Sequence, residues 1–208
     1  MKILIADDHA ILRKGLIEIL NESYSNVEYF EASNGLEALQ IARNQKMDLV
    51  LLDISMPGRN GLDTLKQLRA DGNTMPILIL SVQPEDQYAI RVLKAGASGF
   101  LNKDSAPEEL LNAVRQVMNG RKYISASIAE KLAESLSTPL DKPLYETLSD
   151  RELQVVQLIA SGKTVSEIGR EINLTVNTIS TYRARILDKL HLNNNAEITR
   201  YALDNNLV

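Results

Sequence analysis

"LVLLDISMPGRNGL" (residues 49–62) runs four consecutive apolar residues, Leu49 to Leu52, straight into a carboxylate, Asp53, and then breaks the chain at Pro57-Gly58. An unbroken apolar run of this length reads as a strand buried on both faces, the habit of parallel sheets covered by helices. A carboxylate where such a strand surfaces is either a helix cap or part of a site. Which of the two it is depends on what the neighbouring strands deliver to the same edge.

The flanking sequence repeats one unit. Strands are predicted at Lys2–Ala6, Val27–Ala32, Asp48–Leu52, Pro76–Ser81 and Ser98–Leu101, with helical periodicity over Ile11–Leu20, Gly35–Arg43, Gly61–Arg69 and Asp86–Ala95. A fifth helix opens at Ser105, where Ser105 and Glu108 form a capping box around Pro107. Five βα units in succession predict an α/β domain with a parallel sheet and helices on both faces. In flavodoxin-like strand order, 2-1-3-4-5, the first and third strands are neighbours. Asp7 and Asp8 end the first strand, Asp53 the third and Ser81 the fourth, while Lys103 follows the fifth. All five groups then meet at one edge.

An adjacent Asp pair carries nothing alone, since a chain with 12 Asp in 208 residues produces about one by chance. The coincidence of all five groups at the same strand ends is the signal. Clustered carboxylates repel unless a cation offsets them. Oxygen ligands in a partly hydrated cleft suit Mg²⁺. A hydroxyl and an ammonium beside them are donors for a phosphoryl group, and an aspartate can itself take the phosphoryl as an acyl phosphate.

The motifs "ADDHAILRKGL", "LVLLDISMPGRNGL", "PILILS" and "AGASGFLNKD" occur in the order and spacing of a known family. Over about residues 1–120 the chain resembles the receiver domain of two-component response regulators of the NarL/FixJ group. The resemblance implies that Asp53 accepts phosphate from a sensor histidine kinase. It implies Mg²⁺ held by the Asp8 and Asp53 side chains and the Ser55 carbonyl, with Asp7 helping through water. Lys103 would pair with the phosphate, Ser81 would move toward it, and Phe100 would swing into the space vacated. Ser81 stands where threonine is frequent and Phe100 where tyrosine is, so any switching by Phe100 rests on packing alone. Asn102 replaces a more usual apolar residue. His9 is a loop residue of this group rather than a metal ligand.

Composition restricts the remaining choices. Apolar residues at 44% suffice for a core, charged residues at 24% are ordinary, and zero cysteines exclude disulfides and thiolate metal sites. The N-terminal "MKILIADDHA" is too short in apolar residues for a signal-peptide core, and no apolar run nears the roughly 18 residues a membrane span needs. The simplest expectation is a soluble, cytoplasmic protein. The net charge of -4 decides nothing about nucleic acid.

Residues 121–146, with one helix expected at Ser127–Leu136 and two prolines in "STPLDKPLYET", read as a connector between domains of residues 1–120 and 147–208. Beyond it every segment is helical in pattern. A capping box at Ser149 and Glu152 opens a helix ending near Gly162; others span about Val165–Ile172, Val176–Leu190 and Asn195–Asn205. Two helices joined by "NLT" (173–175) have helix-turn-helix geometry, with Thr175 the N-cap of the second. Ile179, Tyr182, Ile186 and Leu190 fall on one stripe, the core side, with Leu187 at its border. Asn177, Thr181, Ala184, Arg185 and Asp188 fall opposite, flanked by Thr178 and Ser180, a surface of small and hydrogen-bonding residues near the helix N-terminus suited to a major groove. Arg183, Arg185 and Lys189 outnumber Asp188 by three to one between Asn173 and Leu190, with Lys163 and Arg170 as further phosphate contacts. The region from Leu144 to Val208 nonetheless carries seven Lys/Arg against eight Asp/Glu, which predicts weak binding by one copy and a need for dimers. From "LSDRELQ" to "ITRYAL" the segment resembles a LuxR-type DNA-binding domain. That implies double-stranded DNA as a partner and homodimers paired through the last helix.

Together these readings predict a DNA-binding transcriptional regulator that phosphorylation of Asp53 activates. Phosphorylation would favour a homodimer, and the chain would be a phosphoacceptor rather than an enzyme. An aspartyl-phosphate phosphatase of the haloacid-dehalogenase kind needs D-x-D after its first strand, and Asp53 is followed by Ile54-Ser55. A signalling adaptor whose C-terminal bundle binds protein is the other alternative.

Overall fold

The computed structural model describes residues 1–82, 85–105, 107–125, 128–130, 144–205 and 207–208, without side-chain detail at 85–87. The chain forms two compact units, residues 1–136 and 137–208.

The N-terminal unit alternates β1 (Lys2–Ala6), α1 (Ala10–Ser23), β2 (Glu28–Ala32), α2 (Gly35–Asn44), β3 (Leu49–Asp53), α3 (Gly61–Ala70), β4 (Ile77–Ser81), α4 (Glu85–Lys94), β5 (Gly99–Asn102) and α5 (Pro107–Met118). The five strands are parallel in the order β2-β1-β3-β4-β5, as predicted. Side chains alternate across a sheet, so each strand feeds two cores. Ile3, Ile5, Leu49, Leu51, Leu78, Leu80 and Leu101 pack with Leu16 and Leu20 of α1 and Leu110, Ala113, Val114 and Val117 of α5. The intervening residues, among them Leu4, Val50, Leu52, Ile77, Ile79 and Phe100, are also buried and supply the opposite face, where α2, α3 and α4 lie.

Among the described residues the predicted strands and helices form, with ends shifted by no more than three residues. The shift that matters is at β3: Asp53 is the last residue of the strand, paired in register with Leu80, rather than the first residue beyond it. The capping box expected at Ser105 and Glu108 spans Ala106, outside the described residues, and α5 begins at Pro107. Of the helix expected at Ser127–Leu136, only residues 128–130 are described, and they are helical.

Part of the expected connector has structure that no periodicity announced. Tyr123 makes a one-residue parallel bridge along the free edge of β5: its N–H donates to Ser98 O (3.0 Å) and its carbonyl accepts from the Phe100 N–H (3.1 Å). A covered edge cannot template foreign strands. Leu144–Thr147 form a 3-10 turn, and the Tyr145 N–H donates to the Tyr201 hydroxyl. Residues 144–146 thus fall in the C-terminal unit, just ahead of the expected limit of 147. A single 3-10 turn is too short to leave a repeat in sequence.

The C-terminal unit holds α6 (Asp150–Ala160), α7 (Val165–Glu171), α8 (Val176–Leu190) and α9 (Asn195–Asp204). The capping box at Ser149 and Glu152 is present, and a second joins Thr164 and Glu167. Thr175 caps α8 as expected, its hydroxyl accepting from the Thr178 N–H. On α8, Ile179, Ile186 and Leu190 are buried, while Tyr182 and Leu187 are half-buried at the rim of the stripe. Gly169 lets the two helices of the helix-turn-helix close up, because a Cβ there would sit 2.7 Å from Leu174 O.

Glu152 ties this unit together. Its carboxylate is buried, accepts from the Ser149 N–H at 2.7 Å and meets Lys189 Nζ at 2.7 Å. Burial pushes its pKa up, but the bonds from Lys189 and Ser149 outweigh that and hold it below the usual value. A depressed folded-state pKa gives stability above the unfolded value, about 4.3, that is lost as pH falls through the folded value. Glu152→Gln is expected to cost about 1–2 kcal/mol near neutral pH, with the difference from wild type shrinking below about pH 4, measured by urea denaturation at several pH values.

Candidate functional site

The carboxyl ends of β1 and β3 lie side by side where strand order reverses, the place where open parallel sheets bind ligands. The five predicted groups converge there. Asp7, Asp53 and Ser81 are each at most 1% exposed. Lys103 Nζ stands 2.6 Å from Asp7 Oδ2 and 3.0 Å from Asp53 Oδ1, on a side chain only 8% exposed. Asp8 lies at the rim, partly exposed. Ser81 is in register with Asn102, so β4 and β5 set the hydroxyl and the lysine on adjoining strands, and the Lys103 N–H donates to Ser81 O. Phe100 is buried one residue before Leu101 on β5, and Ser55 is half-buried in the loop after β3.

Charge is unbalanced in this pocket. Despite the nearness of Lys103, both Asp53 carboxylate oxygens and Asp7 Oδ2 are buried without a well-oriented hydrogen bond. Burial pushes the Asp53 pKa up; the Lys103 charge opposes this, the Asp7 charge adds to it, and the nearness of the Lys103 ammonium and the Ser55 N–H pulls it partly back. The net direction is upward. Ligand atoms of Asp7, Asp8 and His9 come within 4.8 Å of one another, a spacing that could hold a cation. His9 Nδ1 lies 2.9 Å from Asp8 Oδ1 and 3.1 Å from Asp7 Oδ1 on an exposed side chain. The orphaned buried oxygens are what a hard divalent cation accepts.

Three positioning features escaped the sequence reading. Gly61, at the start of α3, crosses the backbone of β3 so closely that a Cβ would lie 1.9 Å from Asp53 O. Asn102 makes an Asx turn, accepting from the Asp104 N–H at 2.8 Å across Lys103. Arg13 donates from one nitrogen to Asp7 O and from another to Glu31 Oε2, both at 2.7 Å. The second glycine of "GRNG" and the Asn before a charged turn were local signals for the first two. Arg13 left none, because its partners are six and eighteen residues away.

On α8, Asn177, Ser180, Thr181, Ala184 and Arg185 are exposed, and Thr178 and Arg183 half-buried. Several polar groups are already engaged. The Thr178 hydroxyl is hydrogen-bonded to that of Thr175, the Thr181 hydroxyl donates to Asn177 O, and the Arg183 guanidinium donates to Asn195. Lys189, expected on the nucleic-acid face, folds back onto Glu152 and the Thr147 carbonyl. A buried carboxylate outcompetes solvent for the ammonium. Lys163 likewise pairs with Glu171. Asn194 is the N-cap of α9, accepting from the Glu197 N–H.

A parallel sheet with three carboxylates, a lysine and a hydroxyl at its switch point, on a chain that also carries a helix-turn-helix, is the architecture of a two-part signalling regulator. Residues 3–115 match the family model of the response regulator receiver domain, and residues 146–202 match that of bacterial regulatory proteins of the luxR family. The response regulator UvrY of Escherichia coli (strain K12) is 35% identical over 209 residues, covering 100% of this chain and 95% of the relative. The response regulator GacA of Pseudomonas aeruginosa is 34% identical over 210 residues, covering 100% of this chain and 98% of the relative. Among solved structures, RcsB from Salmonella enterica serovar Typhimurium, bound to promoter rprA with the phosphomimetic BeF3-, aligns with a TM-score of 0.63 and 25% identity over 97% of this chain and 98% of that one. The chain belongs to the response regulator family, with a receiver domain followed by a LuxR-type DNA-binding domain. It is a DNA-binding transcriptional regulator of a two-component system.

Two outcomes follow from the pocket. A raised folded-state pKa means that ionising Asp53 costs stability as pH rises from the ordinary carboxylate value toward the raised one. Asp53→Asn is therefore expected to stabilise the protein by about 1 kcal/mol at neutral pH, with the gain vanishing below about pH 4. Thermal denaturation across pH measures it. Gly61→Ala is expected to cost at least about 2 kcal/mol, because the clash is with backbone that cannot turn aside; urea denaturation reads this directly.

Proposed function

We propose that Asp53 is the residue phosphorylated by a sensor histidine kinase, and that phosphorylation favours a homodimer that binds double-stranded DNA. The observation that carries this reading is the buried Asp53 carboxylate beside Lys103, with its oxygens lacking well-oriented partners. A carboxylate oxygen attacks phosphorus, the bond to the donor's leaving group breaks, and an acyl phosphate forms. Lys103 pairs with the incoming phosphoryl oxygens, and Ser81 supplies a hydroxyl from the adjoining strand. Phe100 then takes up the space Ser81 leaves. Asp8 and Asp53, with the Ser55 carbonyl and Asp7, are the groups that would hold Mg²⁺. When bound, the ion neutralises the charge gathered on the transferring group.

The phosphoryl adds about -1.5 to -2 charge and three acceptors to a pocket with a single buried ammonium. That load changes which arrangement of Ser81 and Lys103 is lowest in energy, and so biases the surface built on β5 and α4. In this reading the chain is a phosphoacceptor rather than a turnover enzyme and works in the cytoplasm, where kinase and promoter are both within reach. The domain limits are about 1–120 for the receiver and about 144–208 for the DNA-binding domain.

For DNA, α8 enters the major groove. Asn177, Ser180, Thr181, Ala184 and Arg185 face base edges, and Thr178 and Arg183 lie at the margin, while Lys189 braces the helix from within. With so few uncommitted cations, one copy binds weakly, and two copies on half-sites about one helical turn apart supply the affinity. RcsB has been solved with promoter DNA, which supports this reading of the common architecture.

Asp53→Asn is expected to abolish incorporation of labelled phosphate from a kinase or a small-molecule phosphodonor while the protein stays folded. Continued labelling would refute the assignment. Arg185→Ala is expected to weaken duplex binding by about tenfold and to flatten its salt dependence by about one unit of slope, whereas Lys189→Ala lowers stability first. Affinity without any dependence on salt would favour a protein-binding role for this unit.

A further inference from the structure

The Asp7-Asp8-His9 turn carries acids of the pocket, and among the described residues its one side-chain tie to another element is the Asp7 carboxylate's pairing with Lys103, which leaves the backbone of the turn to be held by other groups. The Asp7 N–H donates to Ala32 O at 3.0 Å, and Asp7 Oδ1 accepts from the His9 N–H at 2.8 Å, a bond within the turn. The remaining backbone acceptor of Asp7, its carbonyl, is taken by Arg13 Nη1 at 2.7 Å. Arg13 is itself held: its Nε donates to Glu31 Oε2 at 2.7 Å, and its side chain is only 14% exposed. Glu31 is the penultimate residue of β2, the strand paired with β1. One planar guanidinium thus bridges from α1 to the turn and to the neighbouring strand, a geometry that a flexible ammonium cannot reproduce in full.

We propose that Arg13, braced by Glu31, is a positioning residue for the divalent cation: it sets where the Asp7 and Asp8 carboxylates stand without touching the ion. This inference rests on the cation reading given above. Partners that orient the ligands of a metal govern its affinity, because each ligand must be held within a few tenths of an ångström of its place. A charge-assisted bond to the carbonyl of one ligand residue, next to the other, is such a partner. Lost, it leaves a turn free to sample positions in which the two carboxylates no longer converge.

Mn²⁺ serves as the probe, its free concentration read by electron paramagnetic resonance during titration of the full chain. Arg13→Ala is expected to lower Mn²⁺ affinity by about tenfold, with far-UV circular dichroism unchanged at the titration temperature. Arg13→Lys should recover part of the loss, and Glu31→Gln, which leaves the guanidinium in place but loosens it, should fall between wild type and Arg13→Ala. Wild-type affinity in Arg13→Ala, or a Glu31→Gln protein that is folded and binds like wild type while Arg13→Ala is unfolded, overturns the inference. Asp8→Asn tests the underlying reading separately. If wild type takes up no Mn²⁺, or Asp8→Asn binds it equally well, the cation reading fails and this inference with it.

Discussion

Two carboxylates and one ammonium, all nearly sealed from water at the end of a parallel sheet, are the constraint around which the receiver domain is built. Lys103 reaches both Asp7 and Asp53, and it cannot neutralise both. A buried ion pair in this proportion is a poor source of stability, because desolvation is charged to three groups and attraction is returned by one cation. The surrounding fold has to hold the arrangement in place. Strand register brings Ser81 level with Asn102, an Asx turn on Asn102 shapes the loop around Lys103, and Gly61 lets α3 begin against the Asp53 carbonyl. Each of these spends conformational freedom or steric latitude on keeping an electrostatically unfavourable site intact. On the proposed function, that imbalance is the point: a site already short of positive charge responds strongly to one more cation or one more phosphoryl group.

The DNA-binding domain uses its charges in the opposite way. Glu152 is buried and matched, with Lys189 and the Ser149 N–H satisfying it, and the unit gains a fixed joint between α6 and α8. On the proposed function the cost falls on recognition, since a lysine paired with Glu152 is not offered to phosphate. Arg183 is engaged with Asn195 as well, and Lys163 with Glu171. A helix-turn-helix that binds its own cations would, on that function, rely on a second copy and on hydrogen-bonding side chains near the N-terminus of α8, which fits the acidic overall charge of the segment.

Most of the fold was legible in order. Apolar runs ending in acids, punctuated by helical periods, permit few arrangements other than a doubly wound sheet, and the strand ends at Asp7, Asp53 and Ser81 followed from the same pattern. What escaped was short or distant. The Tyr123 bridge and the 3-10 turn at Leu144–Thr147 are each too brief to leave a repeat. Lys189 looked available because it lies next to a solvent-facing stretch of α8, and its partner Glu152 is 37 residues away in sequence.

The sequence by itself determined the element order, the parallel sheet and the identities of the pocket's charged groups, because burial period and capping chemistry are local properties written in neighbouring residues. Only the tertiary structure decided how those charges are shared: that both Asp53 oxygens are poorly satisfied, that Arg13 and Glu31 clasp the Asp7 turn, and that Lys189 is held by the buried Glu152. Coulombic partnership depends on distances of a few ångströms across segments that sequence separates by tens of residues, and only the packed chain sets those distances.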